Sequence, residues 1–208
     1  MGLRDILTGR HEVKGPAAKE RLFAITTAYI TLQAEHGIEP DGRAAIVFQP
    51  LSSADFEAAI KEMEDVVRET GSESGTQVAT QDDSYGYRWM VLSNPSGSAS
   101  VEDLAVGINA VSSSIEAAGH GERLLCAVFA FKDAQQRPVY FIYNYKRGYW
   151  YPFVPKGPAT ASSGTSGGEF KAGERSTERE LQIKAQISSE LPIEPELERW
   201  FPLWGIPI

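Results

Sequence analysis

A chain of 208 residues, 42% of them hydrophobic and 23% charged, has the composition of a folded protein and enough apolar material for one large core. Its formal charge of −8 excludes a protein whose main work is to neutralise phosphates, so no nucleic acid is expected as a partner. No run reaches the roughly 18 apolar residues that a membrane-spanning helix needs, and the start lacks the apolar core of a signal peptide. The expected location is the cytoplasm.

Residues 1–15, MGLRDILTGRHEVKG, read as a flexible amphipathic segment ahead of a single α+β domain over 16–208. Leu3, Ile6 and Leu7 recur at helical spacing beside Arg4 and Arg10, a pattern suited to weak contact with a membrane surface or to docking on the protein's own core. Residues 1–21 carry five basic against three acidic side chains, the sign that anionic lipid attracts. A helical pattern starts at Pro16 through AAKERLFAI and becomes ambiguous in TTAYITLQ, where β-branched residues favour a strand. HGIEPDGR reads as a turn, and AAIVFQP after it as a strand. Ser52 or Ser53 then caps a helix whose apolar positions, Phe56, Ala59, Ile60, Met63, Val66 and Val67, keep a 3.6-residue period until Gly71.

QVATQDDSYGYRWMVLSN looks like two short strands around an Asp82-Asp83-Ser84 turn. Alternation puts Tyr85, Tyr87, Trp89 and Val91 on one face and Arg88, Met90 and Leu92 on the other, which makes Tyr85, Tyr87 and Trp89 the candidate lining of a ligand pocket. Ser100 caps a second helix with Leu104, Ile108, Val111 and Ile115 inward, closed by Gly119. RLLCAVFAF, PVYFIYNY and GYWYPFVP follow as three strands, the last two joined by a tight Lys146-Arg147-Gly148 turn in which Gly148 takes positive φ. Three strands in succession predict an α+β fold: an antiparallel sheet with a C-terminal three-strand meander, packed by amphipathic helices. The Gly/Ser-rich stretch at about 156–176 reads as a disordered loop. Thr177 and Glu180 have the spacing of a capping box for a last helix.

No nucleophile, base and orienting group can be matched into a catalytic set, and no cofactor is expected. Cys126, inside LLCAVFAF, reads as a small core hydrophobe. His11, His36 and His120 stand apart from one another in sequence, and the Asp82-Asp83 pair offers too few ligands for a metal. YNYKRGYWYPFVP interleaves Tyr143, Tyr145, Tyr149, Trp150 and Tyr151 with Lys146 and Arg147, as single-stranded nucleic-acid sites do. A packed hairpin has the same residues, and the acidity of the chain favours core or a protein partner. A nucleic-acid site would need Arg88, Lys146 and Arg147 on one exposed face. The closing ELERWFPLWGIPI adds Trp200, Phe201 and Trp204; with Tyr149 and Trp150 they form a candidate partner surface, or a tail packed on the sheet with one edge presented.

Three stretches together resemble one family: MGLRDILTGR, then QDDSYGYRW with YKRGYWYPFVP, then ELQIKAQISSELPIEPELERWFPLWGIPI. They are similar to the PspA-associated protein family PspAB, over nearly the whole chain, with residues 158–173 as the main departure. The resemblance implies a place in the phage-shock response of bacteria and archaea to envelope stress. It also implies PspA, a membrane-remodelling coiled-coil protein, or another envelope-stress protein as partner, and peripheral contact at the inner face of the cytoplasmic membrane. The expectation is a non-enzymatic adaptor or modulator. The alternative is a small-ligand-binding protein or enzyme with an aromatic-lined pocket, which a deep polar-lined cavity near Tyr85, Tyr87 and Trp89 would favour.

Overall fold

The computed structural model describes residues 16–71, 75–94, 100–156 and 173–208. In chain order come α1 (Pro16–Phe23), α2 (Ile25–His36), β1 (Glu39–Phe48), α3 (Ala54–Gly71), β2 (Gln77–Asp82), β3 (Arg88–Ser93), α4 (Val101–Ala117), β4 (Leu124–Lys132), β5 (Pro138–Asn144), β6 (Tyr149–Phe153) and α5 (Thr177–Ile187). The membrane-contact candidates Leu3, Arg4, Ile6, Leu7 and Arg10 lie outside the described residues, as do 157–172 of the Gly/Ser-rich stretch.

The strands form one antiparallel sheet in the order β2-β3-β1-β4-β5-β6, an α+β fold that ends in the expected meander β4-β5-β6. Every residue of β4 except Lys132 is buried, so both faces of the sheet are covered at its centre. Helices cover one face. There Trp150 packs against Phe129 and Tyr143, and its indole N–H donates to the Arg21 carbonyl at the end of α1 at 2.7 Å. Helix α4 crosses the same face so closely that a side chain at Gly107 would meet the Leu92 methyl at 2.3 Å.

The second face is covered by the end of the chain. Residues 192–194 first run beside β6, where the Trp150 N–H donates to the Pro192 carbonyl and the Glu194 N–H donates to the Trp150 carbonyl. The chain then crosses onto the sheet as a strap. Trp200 stacks on Tyr151 at 6.3 Å, Trp204 meets Phe153 edge-on at 5.0 Å, and the Tyr140 hydroxyl donates to the Ile208 carbonyl at 3.1 Å. The aromatic terminus is therefore mostly core.

Four local expectations are corrected. TTAYITLQ is helical, because Ile25, Ala28 and Leu32 fall on one buried stripe of α2 and their burial outweighs the β-branched preference. β1 begins at Glu39, so the supposed turn is a strand entry in which Gly42, at φ +67°, takes up an irregularity of register between Pro40 and Arg43. Glu180 makes no capping box with Thr177: its carboxylate turns inward to Arg175 and the Val154 N–H. Residues 173–176, placed in the loop, are tied down by a Pro155–Arg175 bridge. Gly173 is needed there, since a Cβ would meet the Trp204 ring at 2.9 Å.

The β4–β5 turn is organised by Asp133, whose carboxylate accepts from the N–H groups of Gln135 and Arg137 at 2.9 Å each and from Arg137 Nε at 2.7 Å. Burial raises the pKa of this carboxyl, but these hydrogen bonds and the Arg137 charge outweigh it and hold the group below the usual carboxylate value. A depressed folded pKa contributes stability that is present above the unfolded value of about 4 and lost as pH falls through the folded one. Asp133→Asn is expected to cost about 1–2 kcal/mol at neutral pH. Thermal melts between acid and neutral pH should show a shallower acid limb for the variant; parallel curves would deny Asp133 this role.

Candidate functional site

One opening in the described surface follows from two capped helices. Ser53 Oγ accepts from the Phe56 N–H at 3.3 Å and starts α3, whose buried stripe is Phe56, Ile60, Met63 and Val67. Ser100 Oγ accepts from the Asp103 N–H at 3.0 Å and starts α4, and Gly119, at φ +80°, turns the chain after it. Between α3 and the end of α4 lies a groove of about 300 Å³, lined among others by Ile60, Met63, Val66, Ile115, Ala118 and His120. His120 belongs to the lining, its ring edge-on to Phe56 at 5.1 Å.

The period of α3 predicts Val66 among its apolar positions, and in the structure Val66 is 51% exposed. It belongs to a neighbouring stripe, Asp55, Ala59, Glu62, Val66 and Glu69, spaced by three and four residues. The helix as a whole carries six acidic and two basic residues. An apolar floor flanked by carboxylates can receive an apolar side chain whose neighbours are basic. The signal in the sequence was the width of the α3 apolar arc, broader than a single core-facing stripe requires.

The sequence-predicted residues are dispersed. Tyr85 is 68% exposed in the β2–β3 turn, Tyr87 is half-buried, and Trp89 is buried with its indole N–H donating to Asp83 at 2.9 Å. Asp83 also accepts from the Tyr85 and Tyr87 N–H groups, so these residues build a turn around one carboxylate. Strands β1 and β4 separate them from the β5–β6 hairpin, which is too far across the sheet to wall a pocket with them. Of the candidate partner surface, Trp150 and Trp200 are buried, while Tyr149, Phe201 and Trp204 keep partial exposure. Tyr149 lies under the Arg21 guanidinium at 4.9 Å.

Arg88 and Arg147 do not share an exposed face either. Arg147 is buried in an ion pair with Glu194, through Nε–Oε2 at 2.5 Å and Nη2–Oε1 at 2.9 Å, and Arg88 pairs with Asp82 and Glu57 near the opposite edge. A second internal pair joins Arg175 to the fully buried Glu180, 2.8 Å from Nε to Oε2; burial pushes this carboxyl up against the pull of Arg175 and the Val154 N–H. Both pairs fasten the strap and neither opens to the groove. Cys126 is fully buried, and that burial pushes its thiol up and away from thiolate chemistry. Among the described residues no three His, Cys, Asp or Glu side chains gather to hold a metal ion, and no helix is long and apolar enough to cross a membrane.

A family model described as PspAB, PspA associated protein B, matches residues 1–208, the whole chain. The chain belongs to the PspAB family. No curated protein and no solved structure matched it. The family description ties the chain to PspA.

Proposed function

We propose that this PspAB chain is a non-enzymatic adaptor that modulates the membrane-stress response by docking an amphipathic helix of PspA between α3 and α4. The observation that carries the reading is the α3 wall, where exposed Val66 sits between Glu62 and Glu69 above an apolar floor. A helix laid in such a groove buries apolar side chains at one helical spacing and presents Lys or Arg to the acidic rim. A coiled-coil partner supplies helices of that kind. Leu3, Ile6 and Leu7 with Arg4 and Arg10 add a weak second contact with anionic lipid on the cytoplasmic side of the membrane, too feeble to anchor the protein alone.

Val66→Lys is expected to weaken binding of purified PspA at least tenfold, about 1.4 kcal/mol, while changing stability by no more than about 0.5 kcal/mol. Titration calorimetry at two salt concentrations measures both the loss and the screening expected of an acidic rim. Equal affinity for the two proteins would remove the groove from the interface, and no binding of PspA to the unaltered chain would remove the adaptor reading altogether.

A further inference from the structure

The two edges of the sheet are treated differently. Along β6 the chain supplies its own cover: besides the contacts of Trp150 with Pro192 and Glu194, the Lys156 N–H donates to the Glu174 carbonyl and the Ser176 N–H to the Val154 carbonyl, at 2.7 Å each. At the other edge stands β2, Gln77–Asp82, whose sheet neighbour among the described residues is β3 alone. All of its residues except Val78 are exposed. Its sequence has no proline and no lysine, and its register is unbroken from Gln77 opposite Ser93 to Asp82 opposite Arg88, so only charge guards this edge. In an antiparallel strand every second residue turns its N–H and C=O away from its partner, so β2 presents a row of outward main-chain donors and acceptors.

The charges beside this edge decide what can use it. Glu64 accepts from the Thr80 hydroxyl, and Asp82 and Glu57 both hold Arg88, so one guanidinium is shared by two carboxylates at the margin of the strand. A second copy paired through β2 by two-fold symmetry would bring Glu57, Glu64 and Asp82 of both molecules together, like charge against like. An extended segment with basic side chains meets the opposite situation. We infer that β2 is a strand-addition site for an extended, lysine- or arginine-bearing segment of a partner protein. The site is separate from the helix groove, so either can fail without the other.

The test uses the full chain and an eight-residue peptide of alternating lysine and valine, with a glutamate–valine peptide as the comparison. Amide hydrogen exchange followed by NMR should slow at least tenfold at alternate residues of β2 with the lysine peptide and stay unchanged with the glutamate peptide. Ala79→Pro and Thr80→Pro are made together because consecutive residues face opposite edges. One removes an outward N–H and leaves the ladder to β3 intact; the variant that keeps the native melting temperature should lose the protection. Absence of protection in β2 would overturn the proposal. Equal protection by both peptides would overturn its choice of a basic partner. Protection that rises with protein concentration without peptide would assign the edge to a second copy instead.

Discussion

Trp200→Ala is expected to remove about 3–5 kcal/mol of folding stability, the usual loss for a large buried aromatic side chain. The side chain is buried, stacks on Tyr151, donates its indole N–H to the Glu194 carbonyl at 3.0 Å and lies under the Lys184 ammonium at 5.6 Å. Its own carbonyl accepts from Arg175 Nη1 at 2.7 Å, so the residue joins the strap to the pair that buries Glu180. Because total stability of a domain is itself about 5–15 kcal/mol, this one change places the variant near the threshold of unfolding. Chemical denaturation followed by tryptophan fluorescence measures it. A loss below about 1 kcal/mol would mean that the strap is laid on the sheet without supporting it.

Arg147→Ala is expected to cost a similar about 3–5 kcal/mol, for a different reason. The Arg147 and Glu194 side chains are 7% and 3% exposed, and removing the guanidinium leaves a carboxylate in the core with only the Glu196 N–H, at 3.2 Å, as a hydrogen-bond donor from the strap. Hydrophobic replacement of both partners, Arg147→Met with Glu194→Leu, should recover most of the loss, since no charge then remains buried. The double-mutant cycle separates the two terms. If the pair of replacements is as unstable as Arg147→Ala alone, the ion pair is holding a backbone geometry that apolar side chains cannot reproduce.

The parts of the fold legible in the sequence were those where local signals agreed with tertiary ones. The period and caps of α3 and α4, with Ser53 and Ser100 at their starts, gave two helices close to their final bounds. Alternation and turn residues gave the β4-β5-β6 meander, including Gly148 at φ +66°. Illegible parts were decided at long range. The β-branched residues of α2 are helical because the sheet and α4 receive Ile25, Ala28 and Leu32, and Glu180 turns inward because Arg175 waits there. The candidate groove was only half legible for the same reason: the wide apolar arc of α3 is in the sequence, but that pattern cannot say that Val66 stays exposed beside the end of α4. The aromatic hairpin left core and partner surface undecided, since Tyr143 and Trp150, which face the helices, and Tyr151, which faces a strap 50 residues further on, have the pattern that exposed aromatic residues would also have.

That strap has a consequence for synthesis. Residues 196–208 follow every strand in the chain, so as the protein leaves the ribosome the face made by Tyr140, Ile142, Tyr151 and Phe153 is complete before its cover exists. The contact that closes it, Tyr140 to Ile208, spans 68 residues, and such distant pairings form late. A nascent chain with an apolar sheet face still bare is the kind of species that sticks to its neighbours or to a chaperone. Truncated products that stop short of Trp200 should therefore be found with the holdases of the cell rather than in its soluble fraction.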